Sequence, residues 1–216
     1  MTNSASSFQR ILVLAPHTDD GEIGCGGAIA RFIEEGKDVY CIAFSAARTS
    51  IRPGFPDDIL ETEFKAATRT LGIPSENTRI YDFPVRHFPE HRQAILQELI
   101  DLRQDIHPDL ILMPSPHDIH QDHQVIAAEG LRAFKRHTLL GYEMPWNNIV
   151  FETRCFIPLK EAHVARKIAA LHCYKSQAHR SYLSEDFLWS MALTRGTQIE
   201  GGYAEAFEVL RWVIQL

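Results

Sequence analysis

The sequence predicts a single α/β domain, with a mostly parallel sheet covered by helices on both faces. Short apolar runs alternate along the chain with longer stretches of amphipathic spacing, which is the pattern of repeated β–α units. The first run, residues 10–16, is almost continuously apolar, as expected for a strand buried on both sides. Because 45% of the 216 residues are hydrophobic, one domain over residues 1–216 accounts for the chain.

Apolar spacing and the residues that end each run define the elements of the first two thirds. Ile23, Gly27 and Ala30 lie on one face of a helix, and Gly36 gives that helix a stop. Gly72 closes the next helix in the same way. The predicted strands span residues 10–16, 39–45, 79–84 and 109–115, and the predicted helices lie around residues 23–36, 57–71, 95–106 and 127–134.

The last third of the sequence is less regular. It predicts strands at residues 150–157 and 207–214 and helices at residues 161–174 and 184–193. Glycine and proline are spread along the chain without clustering, so no linker or second domain is expected. Residues 1–8 are expected to be flexible.

Composition excludes several classes of protein. The net charge of −6, from 22 basic and 28 acidic residues, argues against a nucleic-acid binder, which needs a basic surface. No apolar run approaches the roughly 20 residues of a membrane span, and the start of the sequence lacks a signal peptide. The four cysteines are scattered, without a CxxC pair, as in a reducing compartment. We therefore expect a cytoplasmic protein.

Two polar clusters follow predicted strands. The first strand runs into "HTDDGE", residues 17–22, and the fourth runs into "PSPHDIHQDH", residues 114–123. In doubly wound sheets, ligands bind beyond the carboxyl ends of the strands. Although about a hundred residues separate the clusters, we expect this topology to bring them to one rim of the sheet.

The residue types in the two clusters predict a divalent metal site. Imidazole and carboxylate suit zinc, whose catalytic sites commonly have three protein ligands and an open position. His17 and Asp20 supply two ligands and a histidine of the second cluster supplies the third; spacing leaves open which one. Asp19 then accepts a proton from the metal-bound water. The remaining histidine, held protonated by Asp122, faces the developing oxyanion.

Two other interpretations need no metal. In the first, His17 caps the following helix, while Asp19 and Asp20 favour its positive N-terminus. In the second, "GCGGAIA" is a dinucleotide-binding loop. That motif needs a glycine where Ile29 stands, and the preceding carboxylates would repel a pyrophosphate. Close packing of the helix against the sheet is the expected role of these glycines.

Two stretches resemble the signatures of the LmbE-like, or PIG-L, family of zinc-dependent deacetylases. "PHTDDGEIGCGG", residues 16–27, is similar to the first signature, and "DIHQDH", residues 118–123, is similar to the second. "ETEFKAATRTLGI", "ARKIAALHCYKSQ" and "YAEAF" extend the resemblance over most of the chain. It implies a Rossmann-like fold and removal of acetyl or related acyl groups from amino sugars, including N-acetylglucosaminyl conjugates.

The resemblance also implies a role for each residue of the two clusters. Asp19 would be the general base and then the acid that protonates the leaving amine. His120 would stabilise the oxyanion, and Asp122 would orient a histidine. One zinc ion per chain would be bound by His17, Asp20 and His123. Fe²⁺, Co²⁺ or Ni²⁺ can also occupy a site of two histidines and one aspartate.

The sequence departs from the family where substrate is held. Many members have an arginine at the position of Leu60. Arg48 or Arg52 is therefore expected to replace it, and Tyr142 and Trp146 are expected to offer aromatic faces to a sugar.

We therefore expect a metal-dependent hydrolase that removes an acetyl group from an N-acetylated amino sugar or its conjugate, with Asp19 as general base. Two alternatives remain. One is an amidase that releases a larger acyl group from a sugar-thiol conjugate, and the other is a metal-containing binding protein without catalysis. The expected partner is a small amino-sugar substrate, and the sequence is compatible with a homo-oligomer.

Overall fold

The first strand lies in the middle of a seven-stranded sheet in the computed structural model, which describes residues 8–214. The strands are β1 Arg10–His17, β2 Asp38–Ser45, β3 Thr78–Ile80, β4 Leu110–Pro114, β5 Thr138–Tyr142, β6 Cys155–Leu159 and β7 Tyr203–Arg211. The helices are α1 Asp20–Glu34, α2 Ile59–Leu71, α3 Arg92–Ile106, α4 Gln121–Ala133, α5 Glu161–Leu171 and α6 Glu185–Thr197.

The strand order is β3-β2-β1-β4-β5-β7-β6. Strands β1 to β5 are parallel to one another, and β7 runs antiparallel to both β5 and β6. The predicted single α/β domain with a mostly parallel, Rossmann-like sheet is confirmed. The chain leaves β1 on one side for β2 and enters β4 on the other side, so a crevice opens beyond the carboxyl ends of these two strands.

Side chains of β1 point alternately into two cores. Ile11 and Val13 pack in the core under α1, α2, α5 and α6, whereas Leu12 and Leu14 pack in the core under α3 and α4. All four side chains are fully buried. Helices therefore cover both faces of the sheet, which explains why the first strand is apolar at successive positions rather than at alternate ones.

The structure differs from the predicted elements mainly after residue 134. Strand β5 is absent from the prediction, and the strand expected at residues 150–157 begins only at Cys155. Ile149 and Val150, which extend that apolar run, are exposed. The closing strand is Tyr203–Arg211 rather than residues 207–214. Of the segment expected to be flexible, residues 1–7 lie outside the described residues.

Helix α1 bends at Cys25, whose backbone has φ −147° and ψ 24°. Beyond the bend, the N–H groups of Gly27 and Ala28 donate to the Glu205 carboxylate at 3.0 and 2.7 Å. Lys167 Nζ lies 2.7 Å from the same carboxylate. A side chain of β7 therefore occupies the anion site that the second half of α1 presents.

Gly24 lies against the ring of Tyr142. A Cβ atom at Gly24 would lie 2.4 Å from Tyr142 Cδ2, closer than packed atoms approach. The predicted packing role of the glycines is confirmed at this position. None of the helices in residues 8–214 is long and apolar enough to span a membrane.

Candidate metal centre

The two polar clusters meet at one rim of the sheet. Strand β1 ends at His17. His120 lies in the loop that follows β4, and α4 begins at the next residue. Both clusters line a pocket of about 400 Å³. The other walls of this pocket come from Ile23, Ala47, Ser50, Leu60, Val85, Arg86, Trp146, Asn147, Gln177, Arg180 and Tyr182. The convergence predicted from topology is therefore present.

Three side chains at the pocket floor point nitrogen and oxygen atoms at one another. Asp20 Oδ2 lies 3.0 Å from His17 Nδ1 and 3.2 Å from His123 Nε2. The donor atoms of the three residues all lie within 4.8 Å of one another. Two imidazoles and a carboxylate match the ligand types of catalytic zinc sites. These residues fit a divalent metal ion, as the sequence predicted.

A carboxylate holds the second ring nitrogen of each of these histidines. Asp122 Oδ2 lies 3.0 Å from His17 Nε2, and Asp118 Oδ2 lies 2.7 Å from His123 Nδ1. Both carboxylates are fully or almost fully buried. Metal-ligating histidines almost always have such a partner, which fixes the ring and its tautomer. Sequence reasoning gave no role to Asp118, although it begins the second signature.

The carboxylate of Asp122 contacts His17 rather than the second-cluster histidine His120, so the contact predicted from spacing is wrong. Its two oxygens also accept hydrogen bonds from the backbone N–H groups of Arg86 and Phe88, at 2.5 and 3.2 Å. Arg86 has a positive φ of 71°, an uncommon conformation for a residue with a side chain. The loop after β3 thereby fixes Asp122, and through it His17.

His120 stands above the ligand set. Its ring centroid lies 5.0 Å from that of His17 and 4.8 Å from that of His123. His120 Nδ1 accepts a hydrogen bond from the Asp122 N–H at 3.2 Å, which leaves Nε2 to carry the proton of the neutral ring. Burial and the charges of His123 and His17 lower the pKa of His120. The hydrogen bond to Nδ1 and the lowered pKa favour a neutral donor over the imidazolium predicted from sequence.

The ligand histidines are basic when no metal competes with their protons. Burial alone would lower the pKa of His17, but the charge of Asp20 and hydrogen bonds to Asp122 and Asp20 raise it to about 9. Burial acts in the same direction on His123, and Asp20 and Asp118 raise its pKa to about 10. Burial would raise the pKa of Asp20, but the charges of His123 and His17 lower it. At neutral pH a metal ion would therefore replace two protons.

Asp19 lines the pocket beside this set. Burial and the adjacent charge of Asp20 raise the pKa of Asp19, although the nearby Arg180 charge opposes the shift. A raised pKa makes a carboxylate a better proton acceptor near neutral pH. At the start of α1, Asp19 occupies the N-cap position without a side-chain capping hydrogen bond. His17 is thus not the residue that caps α1, so that part of the helix-capping interpretation is wrong, whereas Asp19 and Asp20 do lie at the positive N-terminus of the helix.

A buried pair supports the loop that carries Asp19. The Tyr174 hydroxyl donates to the Thr18 carbonyl at 2.5 Å and lies 3.1 Å from Glu22 Oε1. Burial raises the pKa of Glu22 to about 8, so at neutral pH this carboxyl is protonated and can donate to the phenol. These hydrogen bonds end at the carbonyl of the peptide group that joins Thr18 to Asp19.

The four residues expected to contact substrate have different positions. Tyr142 is fully buried and its hydroxyl donates to Leu14 O at 3.0 Å, so the prediction that its ring meets a sugar is wrong. Arg48 is paired with two carboxylates, those of Glu61 and Asp82. Neither Arg48 nor Arg52 lines the pocket.

Trp146 does line the pocket, and it stacks on Tyr182 with ring centroids 3.8 Å apart and planes 14° apart. The Arg180 guanidinium lies over the Tyr182 ring, 5.5 Å from its centroid. Arg180 and Arg86 are the arginines that line the pocket, where Leu60 offers only an apolar surface. Sequence reasoning missed both arginines and Tyr182, which lie in loops without a recognisable motif.

Together, the fold and these side chains define an α/β protein with a candidate three-ligand metal centre at the carboxyl ends of its parallel strands. The model of one family, described as PIG-L: GlcNAc-PI de-N-acetylase, matches residues 12–134, which is more than half of the chain. The chain belongs to this family. The resemblance noted in the sequence is thus confirmed.

Named relatives include deacetylases. The "uncharacterized deacetylase YaiS" of Escherichia coli is 27% identical over 184 residues, which cover 82% of this chain and 96% of YaiS. The diacetylchitobiose deacetylase of Thermococcus kodakarensis is 24% identical, over 93% of this chain and 82% of that protein. Both alignments cover most of each protein.

Solved structures share the fold. An N,N'-diacetylchitobiose deacetylase from Pyrococcus horikoshii superposes with a TM-score of 0.79 at 18% identity, covering 94% of this chain and 84% of that chain. GalB, a 4-carboxy-2-hydroxymuconate hydratase from a Pseudomonas, has a TM-score of 0.76 at 19% identity, over 96% and 98% of the two chains. Because deacetylases and a hydratase share it, the fold by itself does not determine the reaction.

Proposed function

We propose that this protein is a metal-dependent hydrolase that removes the acetyl group from an N-acetylated amino sugar or its conjugate. The observation that carries the proposal is the convergence of Asp19 with His17, Asp20 and His123 in one pocket. Deacetylation is supported by membership of the family and by the sequence similarity to two proteins that are named deacetylases. The likeness to diacetylchitobiose deacetylase supports an acetylated amino sugar as the substrate.

The ligand set would hold Zn²⁺, with Fe²⁺, Co²⁺ or Ni²⁺ as ions that the same residues can bind. Such an ion would supply a Lewis acid that polarises the amide carbonyl and acidifies a water molecule. Asp122 and Asp118 keep the second nitrogens of His17 and His123 occupied, so the nitrogens that face Asp20 remain for the ion.

Asp19 and His120 would move and stabilise charge during the reaction. Asp19 accepts a proton from the attacking water and returns it to the amine nitrogen as the C–N bond breaks. The His120 Nε2–H donates a hydrogen bond to the carbonyl oxygen as negative charge develops there. A neutral donor with a fixed tautomer can do this without giving up its proton.

Acetate release tests the proposal. The purified chain, stripped of metal and then supplied with Zn²⁺, Fe²⁺, Co²⁺ or Ni²⁺, is incubated with N-acetylglucosamine or diacetylchitobiose. We expect acetate and free amine in equal amounts with metal present and neither product in the stripped protein. Bound metal without any acetate release from these sugars or their conjugates would favour a binding protein and contradict the proposal.

A further inference from the structure

A narrow, mostly apolar cavity lies beneath α6, beside the pocket of the candidate metal centre. Its volume is about 40 Å³, against about 400 Å³ for the pocket. Side chains of α6 form one wall, and β6, β7 and α5 form the others. Among the lining residues are Leu159, Val164, Phe187, Leu188, Met191 and Ala192.

The cavity begins close to the proposed reacting groups. Ile23 lies one helical turn after Asp19, since its N–H donates to the Asp19 carbonyl at 3.0 Å, and Ile23 and Gly24 line the cavity. One turn of an α-helix advances about 5.4 Å. Ile23 and Trp146 line both the pocket and the cavity, so these two side chains form the wall between them.

The charged residues in the cavity wall are paired with one another. Arg195 Nε donates to Glu143 at 2.9 Å, and Lys167 Nζ donates to Glu205 at 2.7 Å. Glu205 also accepts the two backbone N–H groups of α1 described above. A charged occupant would therefore find no free partner here, whereas a neutral alkyl group would bury apolar surface.

We propose that this cavity receives the alkyl chain of the substrate's N-acyl group, so that the protein cleaves N-acyl amino sugars whose acyl group is longer than acetyl. The inference rests on the proposed function, because the same amide bond is cut. The water oxygen bonds to the acyl carbon, the C–N bond breaks, and the amine nitrogen takes a proton. The products are the free amino sugar and the carboxylic acid.

The acyl chain fits this place better than the group attached through the sugar's glycosidic oxygen. The acyl carbon is the reacting atom, so its chain starts beside Asp19 and Asp20 in the pocket, and Ile23, which lies one helical turn after Asp19, is shared with the cavity. The sugar and its aglycone start on the other side of the amide nitrogen. The rest of the pocket contains Arg86, Arg180 and Asn147, whose polar groups suit hydroxyl groups.

Substrates of increasing chain length test the inference on the metal-loaded full chain. N-acetyl-, N-butyryl- and N-hexanoylglucosamine are compared by kcat/KM, together with the octyl glycoside of N-acetylglucosamine. We expect kcat/KM to rise about fourfold for each added methylene that leaves water. The octyl glycoside should react no faster than N-acetylglucosamine.

Filling the cavity should remove this preference. Ala192, which is buried in the wall, is replaced in Ala192→Phe and in the milder Ala192→Val, which serves if the larger change prevents folding. The matched control is Leu193→Phe, at the next position of α6, where the side chain is 52% exposed. We expect the filled variants to cleave the hexanoyl substrate no faster than the acetyl one, with acetyl cleavage within twofold of the parent.

Three results would overturn the inference. Acetate release with no higher kcat/KM for the butyryl or hexanoyl substrate would leave the proposed function intact and show that the cavity does not receive the acyl chain. A gain for the octyl glycoside that Ala192→Phe abolishes would assign the cavity to the aglycone. Release of no carboxylic acid from any of these substrates would overturn both the inference and the proposed function.

Discussion

Residues 12–134 contribute every group placed in the proposed reaction. Residues 143–206 contribute Trp146 and Tyr182, the aromatic wall of the pocket, and line the apolar cavity except at Ile23 and Gly24. The family model matches only the first of these regions. Its strands are parallel and end at the pocket, while β6 and β7 of the second region run antiparallel. The first region thus builds a common centre, and the second region shapes the space around it.

The two regions also differ in how firmly their side chains are held. Asp20, Asp122 and His123 are buried. His17 contacts both Asp20 and Asp122, and His123 contacts Asp20, through charge-assisted hydrogen bonds. Trp146 is 38% exposed, and its neighbour in the wall is another aromatic ring. Changes in the first region should therefore impair the reaction with every substrate, and changes in the second should alter which substrate is preferred.

The largest effect is expected from Asp19→Asn. Loss of a positioned proton acceptor should reduce kcat about a hundredfold to ten-thousandfold for every substrate. The matched control is Asp58→Asn, since Asp58 occupies the N-cap position of α2, also without a side-chain capping hydrogen bond. Steady-state kinetics on short and long acyl substrates would check both. A fall in kcat for only one of the substrates would assign Asp19 to substrate recognition and contradict the proposed division between the two regions.

The pH dependence of metal affinity should come from the first region. Because the pKa values of His17 and His123 are raised to about 9 and about 10, both rings hold a proton at pH 7 that metal must displace. Affinity should rise with pH by up to about a hundredfold per unit and level off above pH 10. Calorimetry in buffers of different ionisation enthalpy should count about two protons released per ion. Metal binding without proton release would show that His17 and His123 are not protonated in the metal-free site.

A smaller effect is expected from Asp118→Asn. The amide still reaches His123 but no longer places a negative charge beside the imidazole, which becomes a weaker ligand, so metal affinity should fall about 10- to 100-fold. A competition titration with a zinc chelator measures this change. Asp57→Asn, on an exposed position before α2, is the control and should leave affinity unchanged. Equal metal affinity in the Asp118→Asn and Asp57→Asn variants would show that Asp118 does not support metal binding.

The smallest effect is expected in the second region. Tyr182→Ala removes the stack on Trp146, and KM should rise about two- to tenfold while kcat stays within twofold. The control is Trp212→Ala, because Trp212 is an exposed aromatic residue that lies outside this region and contacts Phe8. A fall in kcat with unchanged KM would show that the aromatic wall takes part in the reaction itself.

The sequence predicts the first region far better than the second. Strand β1 and strand β4 were predicted within about a residue, because both are continuously apolar and end at polar clusters. Strand β5 was missed because "TLLGY" is five residues long and runs directly into a loop with similar residue types. Short buried strands carry no periodicity that separates them from a loop or a buried turn.

The site shows the same division. Motif spacing and family resemblance identified His17, Asp20 and His123, because their order in the sequence reflects their attachment to strand ends. The role of Asp118 depends on how the loop after β4 folds back, and the sequence does not specify that fold. Arg180 reaches the pocket from a loop more than 150 residues away from Asp19, and no local pattern distinguishes it from a surface arginine.

The metal content of two adjacent isosteric variants tests the central claim most directly. Asp19→Asn and Asp20→Asn are each dialysed against Zn²⁺, freed of excess ion and analysed by mass spectrometry of the element. Because only Asp20 is placed as a ligand, we expect about one ion per chain in the parent and in Asp19→Asn, and a loss of most of the metal in Asp20→Asn. Full metal content in Asp20→Asn, or its loss in Asp19→Asn alone, would contradict the assignment of ligand and base.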